Sequence, residues 1–247
     1  MKKLVALMAV ALACASVVFA ADPFDEFKNQ LTGVAAGVAQ KNLDSFAKDI
    51  GSLIGSSNYH QGQNLGFPGF DVGLHVTAKG VDSNNRIVKT SGVGYIMFPS
   101  AQVEIGLPAK VDLLARFMSY GGSNLVGYGL RYGLYKSELP VVPSLSVQFM
   151  QNNLNVSVNA NKFSASALSA AAVLSMDLVV VSPYLGVNFT QTGVTPDSTI
   201  TNLSGSDSGY RLEGGVNLSL IPLTYVQVGG TYIDGDLGYN LGFGLKF

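Results

Sequence analysis

Charge is what this chain has least of. Asp, Glu, Lys and Arg make up 13% of its 247 residues, against about a quarter in an ordinary soluble domain. That scarcity excludes a disordered polyelectrolyte and a helical bundle solvated by ion pairs. Tryptophan is absent, and Cys14 is the one cysteine. With no second thiol, a disulfide framework and a cysteine-based zinc site are both excluded. The 15 basic residues do not outnumber the 16 acidic ones. The clustered basic face that nucleic acid demands is therefore missing, and no nucleic-acid partner is expected. The histidines are two, His60 and His75, which supports neither a metal site nor a cofactor. Long apolar runs are also scarce. Beyond the first twenty residues, ALSAAAVLSMDLVVVSPYLGV (167–187) is the strongest candidate for a spanning helix. Asp177 at its centre would cost about 2.5 to 3.5 kcal/mol on insertion, and Pro183 weakens the run further. It reads better as two strands with a turn near Ser182 and Pro183.

What is present begins with a leader. Lys2 and Lys3 precede an apolar run from Leu4 to Phe19, and small residues around Ala20 suit a signal peptidase, so residues 1–20 are expected to be removed before Ala21 and the chain exported. Cys14 falls inside the leader, and Ala11 stands where a lipobox has a branched residue. Residues 21–64 then read as an amphipathic helical segment and linker. Asp22 and Pro23 form a start signal. Phe24, Phe27, Leu31, Val34 and Val38 recur at helical spacing, and Leu43, Phe46, Ile50 and Leu53 continue the stripe. This predicts one interrupted helix or two short ones. GSSNYHQGQNLGFPG (55–69) is a linker by composition.

After Gly69 the period changes to two. Phe70, Val72, Leu74, Val76 and Ala78 alternate with Asp71, Gly73, His75, Thr77 and Lys79, and the same rhythm returns to the last residue. Alternation places the two sets on opposite faces of a strand. We count about ten strands, within a range of eight to twelve, over residues 65–247. The segment 163–177 is the weakest of them, and 86–98 either adds a strand or lengthens one. Proline-bearing connections such as LPA (107–109) and LIPL (220–223) alternate with polar ones such as MSYGGSN and GVTPDSTITNLSGSDS. That is the layout of an up-and-down meander with tight turns at one end and polar loops at the other.

A soluble sandwich would also alternate, but its second face would be rich in Lys, Glu, Ser and Thr. Here the second face is largely Gly, Asn, Gln and Ser, which suits a confined lumen. Eleven residues at roughly 3.3 Å each, tilted near 45°, rise about 25 Å, the height of the apolar band of a membrane barrel. The expected fold is therefore all-β: a closed antiparallel up-and-down transmembrane barrel preceded by an amphipathic helix. In hydrocarbon a closed barrel pairs every backbone N–H and C=O without leaving an edge.

The exported start, the unbroken two-residue period and an ending with Tyr239, Leu241, Phe243, Leu245 and Phe247 at alternate positions together resemble bacterial outer-membrane β-barrel proteins. The resemblance implies a bacterial outer-membrane location, surrounding lipid, and a last strand read by the barrel assembly machinery. The absence of Trp departs from the usual aromatic belt, which Tyr and Phe would have to supply. A GFD start at 69–71 and a GLP turn at 106–108 resemble small uncharacterised barrel families.

Parity assigns Asp71, His75, Lys79, Glu104, Asp112, Arg116, Arg131, Arg211 and Glu213 to the lumen. Four acids against four bases and a histidine argue against a strongly ion-selective pore. These groups either pair to hold the barrel or select a solute. Inward glycines, among them Gly73, Gly127, Gly129, Gly133, Gly186 and Gly242, leave space. The helix carrying Phe24, Phe27, Leu31, Phe46 and Ile50 either enters that space as a plug, its aromatic stripe against the glycines, or lies at the mouth. Two histidines, one in a linker and one in mid-strand, give no nucleophilic constellation, so an enzyme is not expected. The two functions left are a narrow passive channel for small solutes and a structural barrel that anchors exposed loops.

Overall fold

The computed structural model describes residues 23–136, 142–233 and 235–247. The leader with Cys14, its cleavage before Ala21, and Asp22 of the start signal lie outside these. Ten strands close into one antiparallel barrel in sequence order: β1 (Phe70–Gly80), β2 (Tyr95–Gly106), β3 (Val111–Tyr120), β4 (Ser123–Tyr135), β5 (Ser144–Val158), β6 (Asn161–Ser175), β7 (Val181–Pro196), β8 (Gly205–Leu218), β9 (Thr224–Ile233) and β10 (Asp236–Lys246). The terminal strand completes the ring. β10 pairs with β1 from Asp71↔Lys246 to Lys79↔Gly238, and Phe70 and Phe247 exchange backbone hydrogen bonds of 3.1 and 2.8 Å. Both ends of the sheet thus lie at one mouth, which we call the near mouth. Residues 167–187 are not a helix but parts of β6 and β7. The turn between them is at 176–180 rather than at Ser182 and Pro183, because β7 already begins at Val181. Residues 86–98 divide between a short helix and the first residues of β2.

The alternation has the sense expected of a membrane wall. On β4, Val126, Tyr128, Leu130, Tyr132 and Leu134 are exposed on the outside, whereas Arg131 inside is fully buried. The wall does not keep that sense along its whole length. β5 to β8 run 15, 15, 16 and 14 residues, longer than the nine to eleven a bilayer needs. Above Phe149, Phe189 and Tyr210 the faces exchange character. The outside becomes Gln151, Asn153, Asn155, Ser164, Ser166, Gln191, Ser206 and Ser208, while the inside becomes Leu154, Val156, Phe163, Ala165, Ala167 and Val194. Polar outside and apolar inside is the patterning of a domain in water. The far rim of the barrel is thus patterned opposite to the rest of the wall, and parts of the polar stretches that read as loops are strand. The connections β3–β4 and β5–β6 shrink to two residues each, 121–122 and 159–160.

That apolar far lumen holds the helix. α1 (Ala36–Ile54) turns Ala39, Leu43, Phe46, Ala47, Ile50, Leu53 and Ile54 inward and packs chiefly on β8, β7 and β6. The stripe expected ahead of it breaks. Residues 23–34 form separate turns, with Gln30 N donating to Glu26 O and Thr32 N to Lys28 O, and Val34 and Val38 are exposed. Gly33 has φ +73°, a conformation that glycine adopts freely and that ends the first turns. The connection after β1 carries α2 (Arg86–Thr90), capped by Asn85, and closes over the helix. Asp49 of α1 takes 2.7 Å bonds from Lys79 Nζ and Asn85 Nδ2, and Lys48 Nζ meets Asp82 at 3.0 Å. Burial raises the Asp82 pKa, but the Asn84 N–H and the Lys48 ammonium outweigh it and hold the carboxyl below its usual range.

Candidate functional site

The near half of the lumen is polar, and the helix is not what occupies it. Its occupant is the stretch that composition marked as a linker. Residues 55–65 descend through the barrel in extended and turn conformations, and Ser56, Ser57, Asn58, Tyr59, His60, Gln61 and Asn64 are all buried. A chain without secondary structure of its own must bond its backbone elsewhere, since an unpaired buried amide costs about 1 to 3 kcal/mol. Here the wall supplies the partners. Arg116 donates to the carbonyls of Ile54 (3.2 Å) and Ser56 (2.9 Å) and to Asn58 Oδ1 (2.8 Å). Asn188 donates to Gly55 O at 3.0 Å, Gln148 to Asn58 O at 2.7 Å, Gln102 to the same carbonyl at 3.2 Å, and Asn217 to His60 O at 2.7 Å. In the other direction the N–H of Ser57 reaches Glu213 at 3.2 Å, that of Gly62 reaches Ser175 Oγ at 2.8 Å, and that of Leu65 bridges both oxygens of Asp112 at 3.1 Å.

The nine residues assigned to the lumen are each at most 2% exposed. They fall into small groups rather than a ring. Arg131 Nη2 lies 2.7 Å from Glu104 and 2.8 Å from Asp112. Asp71 accepts from Tyr225 Oη at 2.9 Å and meets His60 Nε2 at 3.2 Å, and the His60 ring stacks with both His75 and Tyr225, at centroid distances of 5.5 and 4.8 Å. His75 Nδ1 meets Gln227 Oε1 at 2.7 Å, and Gln227 donates to Tyr184 Oη at 2.7 Å. Lys79 turns to Asp49 of the helix, and Arg211 bonds Thr190 Oγ1 at 2.9 Å.

The inward glycines do leave space, and the molecule fills it. A Cβ on Gly186 would lie 2.6 Å from the Tyr59 ring, and one on Gly133 would lie 2.5 Å from Asn64 Oδ1. Gly73, Gly242 and Gly244 make room for the inward rings of His75 and Tyr225. The expected contact between the helix aromatics and the glycines is not made. Phe24, Phe27 and Phe46 instead gather round Phe163, at centroid distances of 5.2, 4.6 and 5.1 Å. A recess of about 580 Å³ opens at the near mouth beside His60, Gln61, Ser175, Asp177, Asn217 and Lys246. Lys246 Nζ donates there to Gln61 at 2.7 Å.

The residues singled out for the lumen left out the amides Gln102, Gln148, Asn152, Asn188, Asn217 and Gln227 of the same inward face, and the seat of residues 55–65. Their signal was in the sequence: a series of inward amides is a supply of donors for carbonyls, and a run of Gly, Ser and Asn is a chain thin enough to receive them. On β10 and at the residue after it, the side chains Tyr239, Leu241 and Phe247 are more than half exposed, while Phe243 and Leu245 are partly covered.

Residues 87–245 match the profile of a family whose description is "Family of unknown function (DUF6588)". A search of the curated proteins finds no match. Among solved structures, the chain is similar to Neisserial surface protein A at 12% identity, covering 72% of this chain and 95% of that one, with TM-score 0.37. It is similar to the KdgM porin at 9% identity, covering 72% and 99%, with TM-score 0.39. An outer membrane channel from Pseudomonas putida F1 shares 8% identity over 78% and 98%, with TM-score 0.45. At TM-scores below 0.5 these likenesses carry no weight for function.

Proposed function

The chain belongs to that family of unknown function, and from its geometry we infer that the protein is a bacterial outer-membrane β-barrel whose lumen is closed at rest by its own N-terminal segment. Small solutes pass only when that segment leaves. The observation that carries this is the bonding of residues 55–65: backbone donors and acceptors along the segment are met by side chains from the wall. α1 seals the far half by apolar packing, and the linker seals the near half by hydrogen bonds. Glu104, Asp112, Arg131, Arg116 and Glu213 serve as structural partners of wall and plug, not as a filter. Both histidines are buried and bonded within the wall and plug, which favours a barrel that does no chemistry. Lipid covers the outside, and Tyr239, Leu241, Phe243, Leu245 and Phe247 present the assembly machinery with its strand.

Planar-bilayer recordings test this with the intact chain and a variant lacking residues 23–65. We expect a closed baseline with rare openings from the first and a steady current from the second. Equal steady currents from both would overturn the plug. Silence from both would favour a second reading, an anchoring barrel without transport, which the water-facing rim of β5 to β8 also suits.

A further inference from the structure

The direction in which the N-terminal segment runs has a topological consequence. An antiparallel barrel with an even number of strands begins and ends at the same mouth, and here the bonds between Phe70 and Phe247 fix that mouth as the near one. Residue 23 is at the other. The Pro23 carbonyl accepts from Ser91 Oγ at 3.3 Å, in the far connection between β1 and β2. Lys28 N donates to Asn161 Oδ1 at 2.9 Å, and Asn161 Nδ2 to Asp25 O at 3.2 Å, both at the far turn between β5 and β6. From there the partners step down the wall in chain order. Ser206 N bonds Asp44, Asn188 bonds Gly55, Asn217 bonds His60, Ser175 bonds Gly62, and Gly106 N bonds Gly69 O at 2.8 Å beside the start of β1.

We infer that the chain threads its own barrel from far mouth to near, so that residue 23 stands on the opposite side of the membrane from both ends of the sheet. This rests on the outer-membrane reading above. An exported chain reaches that membrane from the periplasm, and the terminal strand must remain in reach of a periplasmic machinery. The near mouth is then periplasmic and the far mouth external. The wall agrees, because the far rim is the part patterned for water. The first described turns, from residue 23, are accordingly displayed at the cell surface. The barrel becomes a holder for a surface-exposed N-terminal segment as well as a closed pore.

Single cysteines test this cleanly because Cys14 is the one native thiol. In a Cys14→Ser background, Asp25→Cys, Lys162→Cys at the far turn and Pro108→Cys at the near turn are each exposed positions. Intact cells would be treated with a maleimide carried on a polymer too large for outer-membrane pores. Asp25→Cys is expected to label to the level of Lys162→Cys, while Pro108→Cys gains its label, tenfold or more, only after permeabilisation. An Asp25→Cys that follows Pro108→Cys, or any pattern in which it stays dark on intact cells, overturns the inference. Heat-modifiable migration of each variant is measured alongside. Its loss together with absence from the membrane fraction in the parent chain would overturn the outer-membrane reading, and the inference with it.

Discussion

At the scale of residues, the interior is held by charges that have few substitutes. Arg131 is wholly buried between Glu104 and Asp112, and Asp112 also holds the N–H of Leu65. Removing the guanidinium leaves two buried carboxylates facing each other, a change that costs about 3 to 5 kcal/mol when one partner of a buried pair is deleted. Arg131→Gln should therefore lower the urea midpoint of the detergent-solubilised barrel by that equivalent. Adding Glu104→Gln and Asp112→Asn should return most of it. A midpoint unmoved by Arg131→Gln would show that the cluster holds nothing. Glycine at 186 sets a second limit, since a Cβ there would lie 2.6 Å from Tyr59. Gly186→Val should unseat the linker and raise bilayer current above the parent's baseline. Tyr59→Ala in the same chain should restore closure by vacating the space, whereas failure of the second change to compensate would separate position 186 from the plug.

At the scale of elements, the ring of ladders has an uneven join. β5 and β6 pair over their full lengths, from Ser144↔Ser175 to Val158↔Asn161, but β2 meets β3 only from Ala101↔Phe117 to Gly106↔Asp112. Pro99, just above that join, has no N–H to give to a ladder. Backbone amides near β2 residues 95–100 should exchange with solvent deuterium earlier than those of β5 and β6, by mass spectrometry in micelles. Equal protection would mean that the join closes in solution. The elements also show what could be read from the sequence and what could not. Period two made about ten strands legible because each face of the wall keeps one character over most of a strand, and the nine groups that parity assigned to the lumen are each at most 2% exposed. The same rule failed where the solvent changes. Above Phe189 and Tyr210 the polar set is outside, so Gly193 to Pro196 and Gly205 to Ser208, which read as parts of a polar connection, are strand. The helix stripe failed at Val34 and Val38 because Gly33 ends the turns before α1 begins. Residues 55–65 carried no periodicity at all, since most of their bonds go to the wall.

At the scale of the whole molecule, the chain is two solvents' worth of patterning wrapped round its own beginning. On the proposed reading lipid faces the apolar wall and water the far rim, while the lumen is occupied from one mouth toward the other by α1 and the segment that follows it. The measurement that tests this most directly is a disulfide trap in cells. A Cβ at Gly133 would lie 3.2 Å from that of Asn64, close to the roughly 3.5 to 4.5 Å spanned by a disulfide. Asn64→Cys with Gly133→Cys, extracted from outer membranes under an alkylating agent and without reductant, should yield peptides joined between positions 64 and 133 by mass spectrometry. Recovery of both thiols alkylated, in protein that still shows heat-modifiable migration, would mean that a folded barrel stands without its N-terminal segment in the lumen, and would contradict the account.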